Sequence, residues 1–153
     1  MSHYDQRLAE LDIVLPEPAA PVANYRPFVV SSNHVFVSGQ VSIGADGLIV
    51  GKLGAGLTIE QGQEAAHACA VNLISQLKAA CGGDLSRLKS VVKLTVFINC
   101  TPEFIDQPRV ANGASDLMVA IFGEAGQHAR AAVGAPSLPM NAAVEIDGIF
   151  EIS

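Results

Sequence analysis

A long amphipathic stretch at residues 58–81 limits the folds open to this chain more than any other segment. Thr58 and Gln61 have the spacing of a capping box at its start, and Gly82 and Gly83 follow its end. The pattern predicts one long helix that buries a single stripe. The apolar residues of this stripe recur at steps of three and four: Ala66, Ala70, Leu73, Leu77 and Ala80.

The segment at residues 92–98 has a different period, because apolar and other residues alternate there as in a half-buried strand. With a second predicted helix at residues 108–122, the element order is ββ(β)αβαββ. Two helices on one face of a mixed sheet define a two-layer α+β fold. The other predicted strands cover residues 28–30, 35–41, 129–135 and 142–152.

A further helix is predicted at residues 4–11, and it ends before Pro16. We divide the chain into an N-terminal helical extension at residues 1–16 and a single domain at residues 17–153. A length of 153 residues suits one domain with one core. Because small apolar residues are abundant, they can fill subunit contacts as well as the core, and we expect an oligomer.

The charge of the chain restricts its partners. Nine basic and fifteen acidic residues give a formal net charge of −6 at pH 7, which weighs against a nucleic-acid partner because phosphate backbones are also anionic. No apolar run approaches the ~18 residues of a membrane span, and the N-terminus has no signal-peptide core. Three cysteines without a CxxC pair are typical of a reduced protein. We therefore predict a cytoplasmic protein without a membrane partner.

Arg130 is the first candidate site residue. It lies among small apolar residues, between Ala129 and Ala131, on a strand that we expect inside the sheet. A guanidinium in this position pairs either with a carboxylate of its own protein or with a carboxylate of a ligand. Both interpretations stay open at this point.

Glu145 is the second candidate, on the polar side of the last alternating strand. Antiparallel pairing through the turn at residues 136–140 would bring Glu145 near Arg130, whereas the alternative is a solvated residue on the outer face. One Arg and one Glu on adjacent strands suit a small ligand with a carboxylate group. The Arg would bind the carboxylate, and the Glu would hold a water that attacks the carbon next to it. Gly39, at a strand end, would let such a ligand approach the backbone N–H.

The histidines and cysteines give weaker signals. No two histidines have the spacing of a zinc site and no HExxH motif occurs, so we expect no metal. His128 is near Arg130 in sequence, but we interpret it as a residue of the strand start rather than of the site. Cys69 and Cys81 fit small core positions beside the apolar stripe of the long helix.

Separated segments of the chain together resemble the Rid or YjgF family, also called endoribonuclease L-PSP or translation-initiation inhibitor. The resemblance covers residues 17–152, and the segments match in order and at sensible distances. The segments that carry it are Val37-Ser38-Gly39-Gln40, the strand at residues 92–98, Ala129-Arg130-Ala131-Ala132-Val133, Leu138-Pro139 and Val144-Glu145-Ile146.

The resemblance implies a fold similar to the trimeric type of chorismate mutase, with sheets inward and clefts between adjacent subunits. Family members with deaminase activity hydrolyse reactive enamines and imines, such as 2-aminoacrylate, to 2-keto acids and ammonia without a metal or cofactor. By resemblance, Arg130 would hold the substrate carboxylate and Glu145 would position the attacking water. The other implied substrate contacts come from Tyr25, Ser38, Gly39, Asn112 and Ala132.

This chain departs from the family pattern in three places. A Cys that is common in the deaminase subgroup is Ala132 here, the loop at residues 105–109 is longer, and an N-terminal helix is added. These features resemble a divergent, longer-chain branch of the family.

Three hypotheses follow. The first is a homotrimeric enamine/imine deaminase with sites between subunits. The second is a non-catalytic protein that binds a small carboxylate or imino acid in the same clefts. The third is an RNA-directed endoribonuclease or translation inhibitor, against which the net charge of −6 and the lack of a Lys/Arg cluster with aromatic residues weigh.

Overall fold

A five-stranded sheet carries the fold in the computed structural model, which describes residues 1–18, 20–21 and 23–153. Its strands lie in the order β1-β2-β9-β7-β8, and all neighbours are antiparallel except β7 and β8. The predicted mixed sheet is thus confirmed. The strands are β1 (Phe28–Ser31), β2 (His34–Val41), β7 (Leu88–Asn99), β8 (Ala129–Ala135) and β9 (Val144–Ile152).

Two short strand pairs lie between β2 and the first long helix. One pair is antiparallel and follows β2 directly, whereas the other is parallel and occupies a glycine-rich segment. These pairs are β3 (Ile43–Gly44) with β4 (Gly47–Leu48), and β5 (Lys52–Leu53) with β6 (Gly56–Leu57).

Three helices complete the described fold: α1 (His3–Glu10), α2 (Ile59–Ala80) and α3 (Gln107–Phe122). The predicted capping box of α2 is present, because Gln61 N donates to Thr58 Oγ1 at 3.1 Å and Thr58 N donates to Gln61 Oε1 at 2.9 Å. The helix ends at Cys81, and Gly82 follows with a φ of 66°, which glycine adopts without a steric penalty. The helix bounds predicted from sequence agree with these to within one residue.

The core lies between the helices and one face of the sheet. Alternate residues of β7 and β9 are fully buried there, including Leu94, Val96 and Ile146. The other face has no helix over it among the described residues. On this uncovered face the exposed fraction is 47% for Val29, 45% for Phe36 and 44% for Val133. These are large values for apolar side chains, and the three residues lie on three different strands.

A close crossing sets the distance between α2 and α3. A Cβ atom at Gly113 of α3 would lie 2.2 Å from the backbone oxygen of Gln63 in α2. Only a residue without a side chain permits this approach. The crossing therefore fixes the position of α3, and with it the positions of its polar residues Asn112 and Ser115.

The N-terminal helix α1 packs at the C-terminal ends of α2 and α3. Lys78 Nζ of α2 donates to Asp5 Oδ1 at 2.8 Å, and the Tyr4 ring meets the Phe122 ring edge-on at 4.9 Å. Arg7 Nε donates to the Ala120 carbonyl at 2.8 Å. The predicted N-terminal helix is therefore present, and it is attached to the helix layer.

Within the described part of the chain, no helix is both long enough and apolar enough to cross a membrane.

Candidate active site in two halves

Arg130 lies on β8, which is an edge strand of the sheet. The prediction of a position inside the sheet is wrong, and so is the predicted antiparallel pairing of β8 with the last strand. β8 pairs with β7 in parallel, with Arg130 opposite Leu94, whereas β9 occupies the other side of β7. A strand has only two edges for pairing, so β7 separates the strands of Arg130 and Glu145.

The chain between β8 and β9 passes around the end of β7. Asn99, the last residue of β7, donates through Nδ2 to Asn141 Oδ1 and to the Ala142 carbonyl, each at 3.1 Å. Its backbone N–H donates to the Ala143 carbonyl at 2.9 Å. These bonds hold a crossover where the sequence suggested a simple hairpin.

The Arg130 side chain is exposed and makes its hydrogen bonds to α3. Its Nη1 donates to Asn112 Oδ1 at 2.8 Å and to Ser115 Oγ at 3.1 Å. Among the described residues, no carboxylate lies within ion-pair distance of this guanidinium. Of the two interpretations of Arg130, the one based on an internal ion pair therefore has no support in the described chain.

Ser115 and His128 join this group, although the sequence analysis assigned neither to a site. His128 lies one residue before β8, and its Nε2 is 2.9 Å from Ser115 Oγ. Asn112 lies in the second turn of α3, and Ser115 follows three residues later on the same helix face. That spacing is the sequence signal that could have identified Ser115. We call Asn112, Ser115, His128 and Arg130 the arginine half-site.

Ala132 follows Arg130 on the same side of β8. It pairs with Val96 of β7 and packs, partly buried, against the hydrophobic core. Ala132 offers no polar atom beyond its backbone.

The other predicted residues form a second group on β2 and β9. Glu145 pairs with Val41 across these strands, and β2 is irregular between Val37 and Gln40. Gly39 lies in this irregular segment. A shallow cleft of about 590 Å³ opens there, and its lining includes the glutamate half-site: Tyr25, Ser38, Gly39, Glu145 and Asp147.

Ser38 organises the chain around Tyr25. Its hydroxyl donates to the Arg26 carbonyl at 2.7 Å, and its backbone N–H donates to the Pro27 carbonyl at 2.9 Å. These two bonds hold the chain just after Tyr25 against β2. Tyr25 itself is 55% exposed, so its ring is available to a ligand or a partner surface.

Glu145 has a perturbed acidity. Partial burial raises its pKa, and the nearby charge of Asp147 raises the pKa further. Burial also raises the pKa of Asp147, while a hydrogen bond with Thr95 and the charge of Lys93 oppose that rise. A carboxyl with a raised pKa in a cleft is suited to exchange protons with a substrate.

A smaller cavity of about 240 Å³ lies beside Ser38 and Gly39, towards α2. The segment after α1 forms part of its wall, because Ser75 Oγ of α2 donates to the Pro16 carbonyl at 2.6 Å. The N-terminal segment therefore reaches the neighbourhood of the glutamate half-site, although α1 itself packs elsewhere.

The two half-sites are well separated within one chain. Arg130 lies in register with Leu94 and Gly148, whereas Glu145 lies three residues from Gly148. Two strand spacings and three residues of strand give a Cα separation of about 14 Å between Arg130 and Glu145. Arg130 is in register with the buried Leu94 and Glu145 with the half-buried Phe97, so the two side chains leave opposite faces of the sheet.

No group of three His, Cys, Asp or Glu side chains that could hold a metal ion occurs in the described ranges. The three cysteines are free and buried, which confirms the predicted core positions of Cys69 and Cys81.

The chain belongs to the family described as "YjgF/chorismate mutase-like, putative endoribonuclease", whose model matches residues 5–151. This confirms the resemblance, and the observed topology confirms the predicted α+β, chorismate-mutase-like fold of the single chain.

Three similar proteins span nearly the whole chain. Protein TCP17 of Trypanosoma cruzi is 51% identical over 148 residues, which are 95% of this chain and 92% of that protein. The crystal structure of Atu1372 of Agrobacterium tumefaciens, described as of unknown function, is 46% identical with a TM-score of 0.91, over 98% of this chain and 93% of that one. A structure from Shewanella oneidensis MR-1, described as a putative endoribonuclease, is 36% identical with a TM-score of 0.92, over 97% and 99%.

Proposed function

We propose that this protein is an enamine/imine deaminase that hydrolyses 2-imino acids to 2-keto acids and ammonia. The observation that carries the proposal is the Arg130 guanidinium, exposed on an edge strand and without a carboxylate partner in the described chain. A guanidinium binds a carboxylate through two parallel hydrogen bonds and so fixes its plane. The carboxylate of a small substrate would be a suitable partner for this guanidinium.

The proposed reaction balances without a cofactor. A 2-aminoacrylate takes up a proton at its methylene carbon and loses one from nitrogen, which gives the imine 2-iminopropionate. Water then adds to C2 as the Glu145 carboxylate accepts its proton. Glu145 returns this proton to the nitrogen, which gives a carbinolamine. The hydroxyl proton of the carbinolamine then passes through Glu145 to the nitrogen, the C–N bond breaks as the carbonyl forms, and ammonia and pyruvate leave. Such general acid–base assistance contributes roughly 10²–10⁴-fold to a rate.

The raised pKa of Glu145 supports this role. A carboxylate that is too acidic is a poor base towards water, so partial burial and the neighbouring Asp147 make Glu145 a better one. Because Gly39 has no side chain, a substrate can approach the backbone beside this carboxylate.

We further propose that the complete site forms between subunits of a homotrimer, with the arginine half-site of one chain facing the glutamate half-site of the next. The Arg130 and Glu145 side chains leave opposite faces of the sheet, which supports this arrangement, because one small imino acid cannot contact both faces of the same sheet. The exposed apolar residues on the uncovered sheet face, such as Phe36 and Val133, supply a surface that a second copy of the chain can bury.

The first test is hydrolysis of 2-iminopropionate generated in situ by an amino-acid oxidase, with the remaining imine trapped chemically. Wild type should accelerate the loss of imine, and Arg130→Ala should reduce this acceleration by at least about 100-fold. Arg109→Ala is the matched control, because it removes an exposed guanidinium, 3.9 Å from Asp106, that belongs to neither half-site. Full activity in Arg130→Ala would exclude the proposal.

Mixed trimers test whether the site is shared. Arg130→Ala and Glu145→Gln chains, each inactive alone, are unfolded together in equal amounts and refolded. If each site takes Arg130 from one chain and Glu145 from its neighbour, random mixing makes about a quarter of the sites intact and restores about a quarter of the wild-type rate. A site contained in one chain would give no recovery.

The position of Ala132 is the observation that favours the second hypothesis, a non-catalytic binding protein. A Cys at this position in the related deaminase subgroup offers a thiol near the substrate, and an alanine does not. Binding of pyruvate that depends on Arg130, without any acceleration of imine loss by wild type, would favour that function.

A further inference from the structure

Behind the Arg130 guanidinium lies a continuous chain of hydrogen bonds that the proposed reaction does not use. His128 Nδ1 is 2.7 Å from the Gly126 carbonyl oxygen, and His128 Nε2 is 2.9 Å from Ser115 Oγ. Ser115 Oγ in turn accepts from Arg130 Nη1 at 3.1 Å. Both Ser115 and His128 are half-buried, whereas the guanidinium is exposed.

The direction of each bond in this chain follows from chemistry. A carbonyl oxygen only accepts, so Nδ1 must carry the hydrogen that meets Gly126. In the neutral ring Nε2 then has a lone pair and accepts the Ser115 hydroxyl hydrogen. The oxygen lone pairs of Ser115 are thereby turned towards Arg130, which only donates. The opposite tautomer would bring two lone pairs together at 2.7 Å.

We propose that Ser115 and His128 are positioning residues that aim the Arg130 guanidinium at the substrate carboxylate. The proposal rests on the proposed carboxylate-binding role of Arg130. Asn112 and Ser115 hold the same nitrogen, Nη1, from two points of α3. Among the described residues, the other N–H groups of the guanidinium have no hydrogen-bond partner and can bind a ligand. The two bonds to Nη1 limit the rotation of the guanidinium plane.

His128 acts through Ser115 alone. Without an acceptor at Nε2, the Ser115 hydroxyl can rotate and point its hydrogen towards Arg130. This hydrogen carries a partial positive charge and therefore repels the Arg130 guanidinium. His128→Leu should therefore have the same consequence as Ser115→Ala. His128→Gln is the conservative variant, because its amide oxygen can replace Nε2 as acceptor. Likewise Ser115→Thr keeps the hydroxyl.

The first experiment measures the tautomer of His128 by long-range ¹H–¹⁵N NMR spectra of the ¹⁵N-histidine-labelled protein at neutral pH, with assignment by His128→Gln. The expected result is a ring with its hydrogen on Nδ1 and a lone pair on Nε2. Protonation on Nε2 would overturn the proposal, because Ser115 would then receive a hydrogen from His128 and could not be oriented as argued.

The second experiment compares KM and kcat for 2-iminopropionate. Ser115→Ala and His128→Leu should raise KM about 10-fold with kcat within about twofold of wild type, because Arg130 binds the carboxylate equally in substrate and transition state. Ser115→Thr and His128→Gln should restore most of the KM. Asp116→Ala, at the exposed next position of α3, is the control.

A merely structural role predicts a different pattern. Loss of folded protein lowers the apparent kcat and the melting temperature and leaves KM unchanged, and this result would overturn the proposal. If wild type itself fails to hydrolyse the imine, the deaminase function fails and calorimetric titration with pyruvate decides the positioning role. Weaker binding in both Ser115→Ala and Arg130→Ala supports it, whereas equal affinity in wild type and Ser115→Ala overturns it.

Discussion

A Cβ atom at Gly39 would lie 3.1 Å from Cδ of Glu145. This distance is shorter than ordinary van der Waals contact, so a side chain at position 39 would require the Glu145 carboxyl group to shift by a few tenths of an ångström. The irregular pairing of β2 with β9 brings the backbone of Gly39 to this point. The position of the proposed base therefore depends on a missing side chain in the neighbouring strand.

Gly39→Ala should displace the Glu145 side chain and lower kcat for imine hydrolysis by about 10-fold or more, since a small misplacement of a reacting group is costly. The fold should persist, because Gly39 is exposed and the flexible Glu145 side chain can move. Gly44→Ala is the matched control, as its nearest contacts would be 3.8–3.9 Å. Equal rates in both variants would show that Gly39 does not position Glu145.

The raised pKa of Glu145 gives a pH dependence with a definite sign. The proposed base must be ionised, so kcat/KM should fall as the pH drops through the raised pKa of Glu145. Asp147→Asn removes a negative charge that raises this pKa and should move the acid limb of the profile to lower pH. Glu151→Gln, also on β9 and hydrogen-bonded to Asn33, should leave the limb in place. An unmoved limb in Asp147→Asn would assign it to another group.

The local elements of this fold are predictable because their signals are local. The capping box at Thr58 and the glycines after Cys81 determine both ends of α2, and side-chain alternation identifies the buried face of β9. The order of strands in the sheet has no local signal of this kind. The position of β8 at the edge follows from its parallel pairing with β7, which joins residues more than 30 positions apart and which no periodicity reveals.

The candidate site was predictable only as far as the family motif extends. Arg130 and Glu145 were identified from their residue types in apolar strands, but their separation within one chain follows from the sheet order. Ser115 and His128 lie outside the motif and meet Arg130 only because α3 packs beside β8. A contact between a helix and an edge strand depends on tertiary packing, so the sequence alone assigned His128 to the strand start.

The attachment of α1 should weaken in acid. The hydrogen-bonded Lys78 ammonium lowers the pKa of Asp5 to about 2, although burial opposes this. An Asp side chain in the unfolded chain has a pKa of about 3.9. Above this pH the ionised Asp5 carboxylate stabilises the fold, and this stabilisation is lost as the pH falls towards about 2. Asp5→Asn should therefore lower the free energy of unfolding by about 1 kcal/mol at neutral pH, and the difference should shrink below about pH 4. Glu10→Gln, in an exposed pair with Arg7, should have a smaller effect in the same urea titrations.

The crossing of α2 and α3 should be far more sensitive to a methyl group at Gly113 than at Gly62. An alanine side chain at Gly113 meets the backbone of Gln63, which cannot move without shifting α2, whereas at Gly62 it meets side-chain methyl groups of Leu53 and Val110 at 3.1 Å, which can yield. Gly113→Ala should lower the free energy of unfolding by more than about 2 kcal/mol even after the gain in helix propensity. Gly62→Ala should cost less than half as much. Urea unfolding followed by circular dichroism measures both, and equal stability of the two variants would show that α3 can move away from α2 at little cost.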